Sequence, residues 1–88
     1  MMSVKFSPTA LNEFFHLASR EKHLFKSLKK IIEDTQRNGT GGLGHVEPLR
    51  GNLAGWWSKR VDDGNRMVFR IKDETVEIAK CYTHYGEK

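Results

Sequence analysis

The chain has 88 residues and a formal net charge of +4, and its composition is 38% hydrophobic and 30% charged. This length allows one domain, residues 1–88, and the balance is typical of a folded protein rather than a disordered one. We expect no membrane partner, because no apolar run approaches the roughly 20 residues that span a bilayer and the N-terminus lacks the apolar core of a signal peptide. The single cysteine excludes an internal disulfide and suits a reducing cytoplasm.

The N-terminal residues predict a short strand followed by a helix. Val4–Phe6 alternate in polarity as in an edge strand. Ser7 and Pro8 are the residue types preferred at the N-cap and at the first helical position. Apolar residues then recur at helical spacing over residues 11–18.

A second helix is indicated by the apolar stripe over residues 24–35. Asn38 and Gly39 end it, since both residues tolerate left-handed backbone geometry. The break from the first helix lies near Arg20 and Glu21, so the two helices form a hairpin. Four lysines fall mostly off the apolar stripe: Lys22, Lys26, Lys29 and Lys30. They are explained as the solvated helix face or, alternatively, as contacts to nucleic acid phosphates.

The C-terminal half predicts three strands, at Trp56–Val61, Arg66–Ile71 and Thr75–Cys81, separated by turn residues. Residues 38–55 are rich in glycine and carry no clear periodicity. The order of elements predicts an α+β domain, in which an N-terminal strand and a helical hairpin pack on one face of an antiparallel β-sheet.

Alternation assigns the two faces of the middle strand. One set of side chains points towards the helices: Met67, Phe69 and Ile71. The other set lies on the uncovered face: Arg66, Val68 and Arg70. In the last strand, strict alternation would put Lys80 beside Val76 and Ile78, so a bulge or bend is one solution.

A carboxylate, a guanidinium and an imidazole are the candidates for chemistry: Glu47, Arg66 and His84. RNA cleavage without a metal needs a base for the ribose 2′-hydroxyl, an acid for the departing 5′-oxygen and cations for the phosphate. An imidazole suits the acid because its ordinary pKa is about 6.5, and a guanidinium can bond two phosphate oxygens at once. Taken singly, each residue is also explained as a solvated charge or, for His84, as a partly buried ring.

Other kinds of site do not fit the sequence. The glycine-rich stretch lacks the Gly-Lys-Ser/Thr ending of a phosphate-binding loop. His45, Glu47 and His84 lack the spacing of zinc ligands, so we expect neither a cofactor nor a metal. Cys81 has no partner cysteine and lies in an apolar strand, which favours a buried small hydrophobe.

The order of these pieces resembles the YoeB/Txe family of toxins within the RelE/ParE-like superfamily. The matching segments are GHVEPLR at 44–50, NLAGWWSKR at 52–60, NRMVF at 65–69, CYTHY at 81–85 and IIEDT at 31–35. The resemblance covers nearly the whole chain, from Phe6 to Tyr85.

The resemblance implies a metal-free, ribosome-dependent endoribonuclease that cleaves mRNA in the A site and acts in the cytoplasm. It implies that Glu47 is the general base, His84 the general acid and Arg66 the phosphate clamp, with Tyr85 positioning the nucleotide or the histidine. Further contacts to RNA phosphates would come from basic residues nearby: Arg60, Lys59, Arg50 and His45. The implied partners are a cognate antitoxin of the YefM/Axe type, the ribosome with its mRNA, and a second copy in a homodimer.

The chain departs from the family pattern at three places. His45-Val46 stand where the family usually has a lysine, which makes one basic contact weaker or pH-dependent. Ser58-Lys59-Arg60 replace Ser-Arg-Arg, which loses one guanidinium fork. Residues 86–88 follow the usual terminal tyrosine and leave the role of Tyr85 open.

Two alternatives to the nuclease remain at this point. One is a ParE-like toxin that inhibits a topoisomerase without cutting nucleic acid. The other is a basic module that binds RNA or the ribosome and has no toxin role.

Overall fold

The two helices lie where the sequence predicts them. The structure is a computed structural model that describes residues 1–82. Helix α1 spans Pro8–Arg20 and helix α2 spans Lys22–Asn38. Ser7 caps α1, because its Oγ accepts a hydrogen bond from the Ala10 amide at 3.0 Å. The same Oγ donates to the Ala79 carbonyl at 2.8 Å, so the cap also ties the start of α1 to the last strand.

A five-stranded sheet forms the second layer. Its strands are β1 (Ser3–Phe6), β2 (Val46–Pro48), β3 (Trp57–Asp62), β4 (Asn65–Lys72) and β5 (Thr75–Lys80). Their order across the sheet is β1-β5-β4-β3-β2. β1 is parallel to β5, whereas the other neighbouring strands are antiparallel. The predicted α+β architecture is confirmed, with β1 as a parallel edge strand and β2 as an additional edge strand that the sequence did not predict.

The hydrophobic core lies between the helices and one face of the sheet. α1 packs on β1 and β5, and α2 packs on β3 and β5. The buried members of the core come from both layers: Ala10, Leu17, Leu28, Ile31, Ile32, Met67, Phe69, Val76, Ile78 and Cys81. Ile71 is 37% exposed near the end of β4, so it does not join Met67 and Phe69 in the core as predicted.

The last strand contains the predicted irregularity. Phe69 of β4 pairs with Ile78, but its neighbour Val68 pairs with Lys80, so Ala79 is the extra residue of a bulge. The bulge lets the side chain of Lys80 reach solvent, where its ammonium lies 3.6 Å from Glu13. The bulge therefore keeps the charged Lys80 off the apolar face of β5.

Cys81 is fully buried, as predicted, although it lies directly after the last strand and not within it. Its thiol donates to the Ala10 carbonyl at 3.2 Å. Burial, with a smaller effect from the Glu13 carboxylate, raises the pKa of this thiol to about 12. The side chain therefore stays a neutral thiol at physiological pH and acts as a packing residue.

Candidate functional site

Polar side chains gather on the sheet face that the helices leave uncovered. Glu47 on β2 lies opposite Ser58 on β3, and Arg60 on β3 lies opposite Arg66 on β4. Because side chains alternate along a strand, these four residues share one face, while the neighbouring Met67 enters the core. Three strands thus supply one polar surface.

Arg66 is held in place by hydrogen bonds through two of its guanidinium nitrogens. Nε donates to Ser58 Oγ at 2.8 Å. Nη2 donates to the His45 carbonyl at 2.7 Å and to the Ser58 carbonyl at 3.1 Å. Within residues 1–82, Nη1 has no hydrogen-bond partner. The guanidinium is therefore fixed on one side and can donate to an anion on the other.

Glu47 presents an open carboxylate beside this guanidinium. Its Oε2 lies 3.3 Å from His45 Nε2, and the two side chains are 55% and 65% exposed. His45 contacts both groups, since its ring meets Glu47 and its carbonyl accepts from Arg66. A solvent-accessible carboxylate on the same sheet face as a fixed guanidinium can accept a proton from a bound ligand.

These side chains line an open concavity of about 470 Å³, here called the outer concavity. Its lining residues are His45, Glu47, Arg60, Asp62, Asp63, Gly64 and Arg66. At its rim, Arg60 Nη2 lies 2.6 Å from the exposed carboxylate of Asp63. The volume falls within the range of small-molecule sites and would admit part of a nucleotide.

Residues 1–82 contain neither a membrane-spanning helix nor a metal-binding cluster. Neither α1 nor α2 has the length and apolar character needed to cross a membrane. Residues 1–82 contain no group of three or more histidine, cysteine, aspartate or glutamate side chains placed to hold a metal ion.

The family model of YoeB-like toxins of bacterial type II toxin–antitoxin systems matches residues 6–85. This chain belongs to the YoeB toxin family. It is 36% identical over 85 residues to Toxin YoeB of Mycobacterium bovis, covering 97% of this chain and 100% of that one. It is 32% identical over 84 residues to Toxin YoeB of Escherichia coli K12, covering 96% and 100%.

Solved structures of YoeB toxins share the fold. A chain of the YoeB-YefM complex from Staphylococcus aureus superposes with a TM-score of 0.86 at 30% identity and covers 97% of this chain and 99% of that one. The YoeB dimer from the same organism also gives 0.86 at 30% identity, with 96% and 98% covered. The YoeB/ParE toxin from Agrobacterium tumefaciens gives 0.89 at 26% identity, with 96% and 100% covered.

The structure brings together four of the residues that the sequence singled out for this YoeB-family chain. The outer concavity contains Glu47, Arg66, Arg60 and His45. Arg50 is exposed just before the one-turn 3₁₀ helix Gly51–Leu53 and does not line the concavity. His84 and Tyr85 lie outside the described residues.

The four candidate lysines of α2 are exposed on the helix: Lys22, Lys26, Lys29 and Lys30. Lys29 Nζ lies 5.2 Å from the centroid of the Phe25 ring. They form a basic surface separate from the outer concavity, and their predicted contact with nucleic acid on the ribosome stays a prediction.

The prediction that Lys59 holds RNA phosphates is wrong. Lys59 lies opposite Met67 and points to the helix side of the sheet, where it is completely buried. Its ammonium is within hydrogen-bond distance of four oxygens: Asp34 Oδ2 at 3.2 Å, Thr35 Oγ1 at 3.0 Å, Gly39 O at 3.3 Å and Gly41 O at 3.2 Å. A group so enclosed has no surface to offer a phosphate.

Sequence reasoning missed Asp34 and Ser58. Asp34 forms an ion pair with the Lys59 ammonium. Ser58 is fully buried, and its Oγ accepts a hydrogen bond from the Arg66 guanidinium.

The turn at residues 63–64 gives no signal for the burial of Lys59. Strand pairing that continued without interruption from the Asp62–Asn65 pair would place Lys59 opposite Val68 on the open face. A register shift between Arg60 and Asp62 places Lys59 opposite Met67 on the core face instead.

Proposed function

We propose that this toxin is a ribosome-dependent endoribonuclease that cleaves mRNA at the A-site codon and so inhibits translation. The observation that carries the proposal is that an open carboxylate, Glu47, and a fixed guanidinium, Arg66, line one concavity on the face away from the helices. Cations alone are enough to bind phosphate and a carboxylate repels it, so Glu47 in the same concavity as Arg66 favours acid–base chemistry over phosphate binding alone.

The chemistry assigns one role to each group. Glu47 takes the proton of a ribose 2′-hydroxyl, and the 2′-oxygen attacks the adjacent phosphorus. The bond from phosphorus to the 5′-oxygen breaks, and His84 gives that oxygen a proton. The products are a 2′,3′-cyclic phosphate and a 5′-hydroxyl. Arg66 binds the phosphate oxygens as their negative charge increases, and Arg60 binds a neighbouring phosphate.

The assignment of His84 as the acid is taken from the family resemblance, since His84 lies outside the described residues. Tyr85 follows directly and is assigned to position the nucleotide or the imidazole.

Relatives of the chain suggest its partners. The Staphylococcus aureus structures are those of a YoeB-YefM complex and of a YoeB dimer. We therefore assign this chain a YefM-like antitoxin as its inhibitor and a second copy as a partner, in addition to the ribosome and its mRNA. Its place of action is then the cytoplasm, where ribosomes translate.

In vitro translation followed by primer extension tests the proposal. Wild-type protein should create new mRNA ends in or beside the A-site codon. Glu47→Gln and His84→Gln should abolish these ends or reduce them strongly while each variant keeps its thermal unfolding transition. Glu77→Gln is the matched control, because this carboxylate also lies on the sheet but pairs with Arg70 outside the outer concavity.

Other results would contradict the proposal. Full cleavage by a folded His84→Gln protein would remove the general acid. Intact mRNA together with inhibited DNA supercoiling would favour the ParE-like topoisomerase inhibitor. Intact mRNA with retained ribosome binding would favour the binding module.

A further inference from the structure

The Lys59 ammonium lies where three parts of the chain meet. Asp34 and Thr35 reach it from the last turns of α2, and the carbonyls of Gly39 and Gly41 reach it from the segment that follows. We call that segment, residues 39–45, the loop. It links α2 to β2 and leads directly into the outer concavity.

Asp34 also accepts a hydrogen bond from the loop itself. Its Oδ2 accepts the Leu43 amide at 2.8 Å as well as the Lys59 ammonium, and its Oδ1 accepts Asn38 Nδ2 at 2.8 Å. Gly42 lies so close to this carboxylate that a Cβ at that position would collide with it. The loop is therefore seated directly on an ion pair whose ammonium is fully buried and whose carboxylate is 12% exposed.

The far end of the loop is fixed on β3. The His45 carbonyl accepts the Arg60 amide at 2.9 Å. Gly44 has φ of +81°, and a Cβ there would lie 2.9 Å from the Arg60 carbonyl and 3.2 Å from Lys59 Cγ. Only glycine permits both this backbone conformation and this close approach. The stem of Lys59 thus supports the last part of the loop while its ammonium holds the first part.

The strand that carries Glu47 depends on this support. β2 has three residues and, in the described chain, pairs only with β3. So short an edge strand has few bonds of its own, and the loop is its connection to the helices. A movement of the loop would shift both the carbonyl of His45, which orients Arg66, and the carboxylate of Glu47.

We propose that Lys59 is a positioning residue for the outer concavity: with Asp34 it fastens the loop to α2 and thereby sets where Glu47 and the His45 carbonyl lie. The proposal rests on the nuclease function for its effect on rate. The fastening of the loop is independent of that function. It assigns to Lys59 an action through Glu47 and Arg66, without contact to RNA.

The test compares Lys59→Met with Ile78→Val. Methionine keeps much of the apolar stem and removes the ammonium, whereas Ile78→Val loosens the core beneath β5, away from the loop. Amide hydrogen exchange should accelerate in Lys59→Met at Leu43 and Arg60, whose acceptors are Asp34 and His45, and should stay unchanged there in Ile78→Val. At a temperature where both variants are fully folded, the maximal cleavage rate on programmed ribosomes should fall roughly 10- to 100-fold in Lys59→Met only, with little change in KM.

Thr35→Val provides a milder variant if Lys59→Met does not fold, since it removes one acceptor of the ammonium and keeps the shape of the side chain. It should show the same two effects at smaller size. Unchanged exchange at Leu43 and Arg60 with a wild-type rate would overturn the proposal. Equal losses of cleavage rate in Lys59→Met and in Ile78→Val would overturn it too. Should the wild-type chain cut no RNA, the nuclease function fails, and the exchange measurement alone decides whether Lys59 fastens the loop.

Discussion

Lys59 and Arg60 are neighbouring cations on one strand, and they lie in opposite surroundings. Lys59 enters the helix side, where oxygens surround its ammonium and its side chain is fully buried. Arg60 points to the outer concavity, half exposed, with Asp63 at its rim as an exposed partner. The buried charge must be satisfied, because an unpaired ion in the interior costs several kcal/mol. The exposed Arg60 charge needs no protein partner, because water solvates it. It therefore remains available to a ligand.

The same contrast separates the two surfaces around these residues. On the inner side, every hydrogen of the ammonium has an oxygen nearby, and this fixes the loop. On the outer side, Arg66 uses Nε and Nη2 for structure and, among the described residues, leaves Nη1 available. A binding site needs donors that are fixed in position and still unused, since such donors stabilise charge without first being reorganised.

Among the predicted changes, removal of Arg66 should have the largest effect, and the effect is on the rate of cleavage. Arg66→Gln should lower the rate of cleavage on the ribosome by roughly 100- to 1,000-fold, because it removes a fixed donor from the phosphate in the transition state. Arg70→Gln is the matched control, since Arg70 lies on the same strand and is engaged by Glu77 and the Trp56 ring. Single-turnover cleavage kinetics measure both. Similar losses of cleavage rate in the two variants would show that the rate depends on total positive charge and not on the fixed guanidinium of Arg66.

Elements with a strong local signal could be predicted from the sequence. The N-cap at Ser7 and the alternation along β4 correctly located α1 and put Arg66 on the open face. The three-residue strand β2 has no signal of its own, because it exists only by pairing with β3. The inward direction of Lys59 could not be predicted, because it depends on a register shift between Arg60 and Asp62 that the turn sequence does not indicate. Its partner Asp34 is 25 residues away in sequence, and such a pair emerges only from the packing of α2 on the sheet.

The inner ion pair makes an acid-sensitive contribution to stability. Desolvation raises the pKa of Asp34, but hydrogen bonds from Leu43, Asn38 and Lys59 outweigh it and hold the pKa below its ordinary value of 3.8. The folded state therefore gains stability from Asp34 above pH 3.8, and this gain is lost as the pH falls from there through the lowered pKa.

Urea unfolding at a series of pH values from 5 to 2 measures this loss. Asp34→Asn should remove part of the acid-induced decline in the free energy of unfolding. Asp63→Asn should leave the decline as it is, since the Asp63 carboxylate is fully solvated. A decline of wild-type steepness in Asp34→Asn would show that other carboxylates cause the acid sensitivity.

The smallest expected effect concerns the exposed pair at the rim. Asp63→Asn should change the free energy of unfolding by less than about 1 kcal/mol, because a solvated ion pair contributes little. It should nevertheless tighten binding of a fluorescent single-stranded RNA, since Arg60 would no longer share its charge with a carboxylate. If Arg60 then neutralises one more phosphate, the slope of log K against log salt steepens by roughly 0.7, as measured by anisotropy at several salt concentrations.

Asp73→Asn is the control for the rim pair, because it removes the same charge from the turn between β4 and β5, at the other end of these strands. Net charge rises by one in both variants, so a non-specific attraction would tighten RNA binding equally in the two. A steeper salt slope confined to Asp63→Asn would place Arg60 on a phosphate. An equal response would leave Arg60 as one more solvated charge and would make Arg66 the cation that distinguishes the outer concavity from the rest of the basic surface.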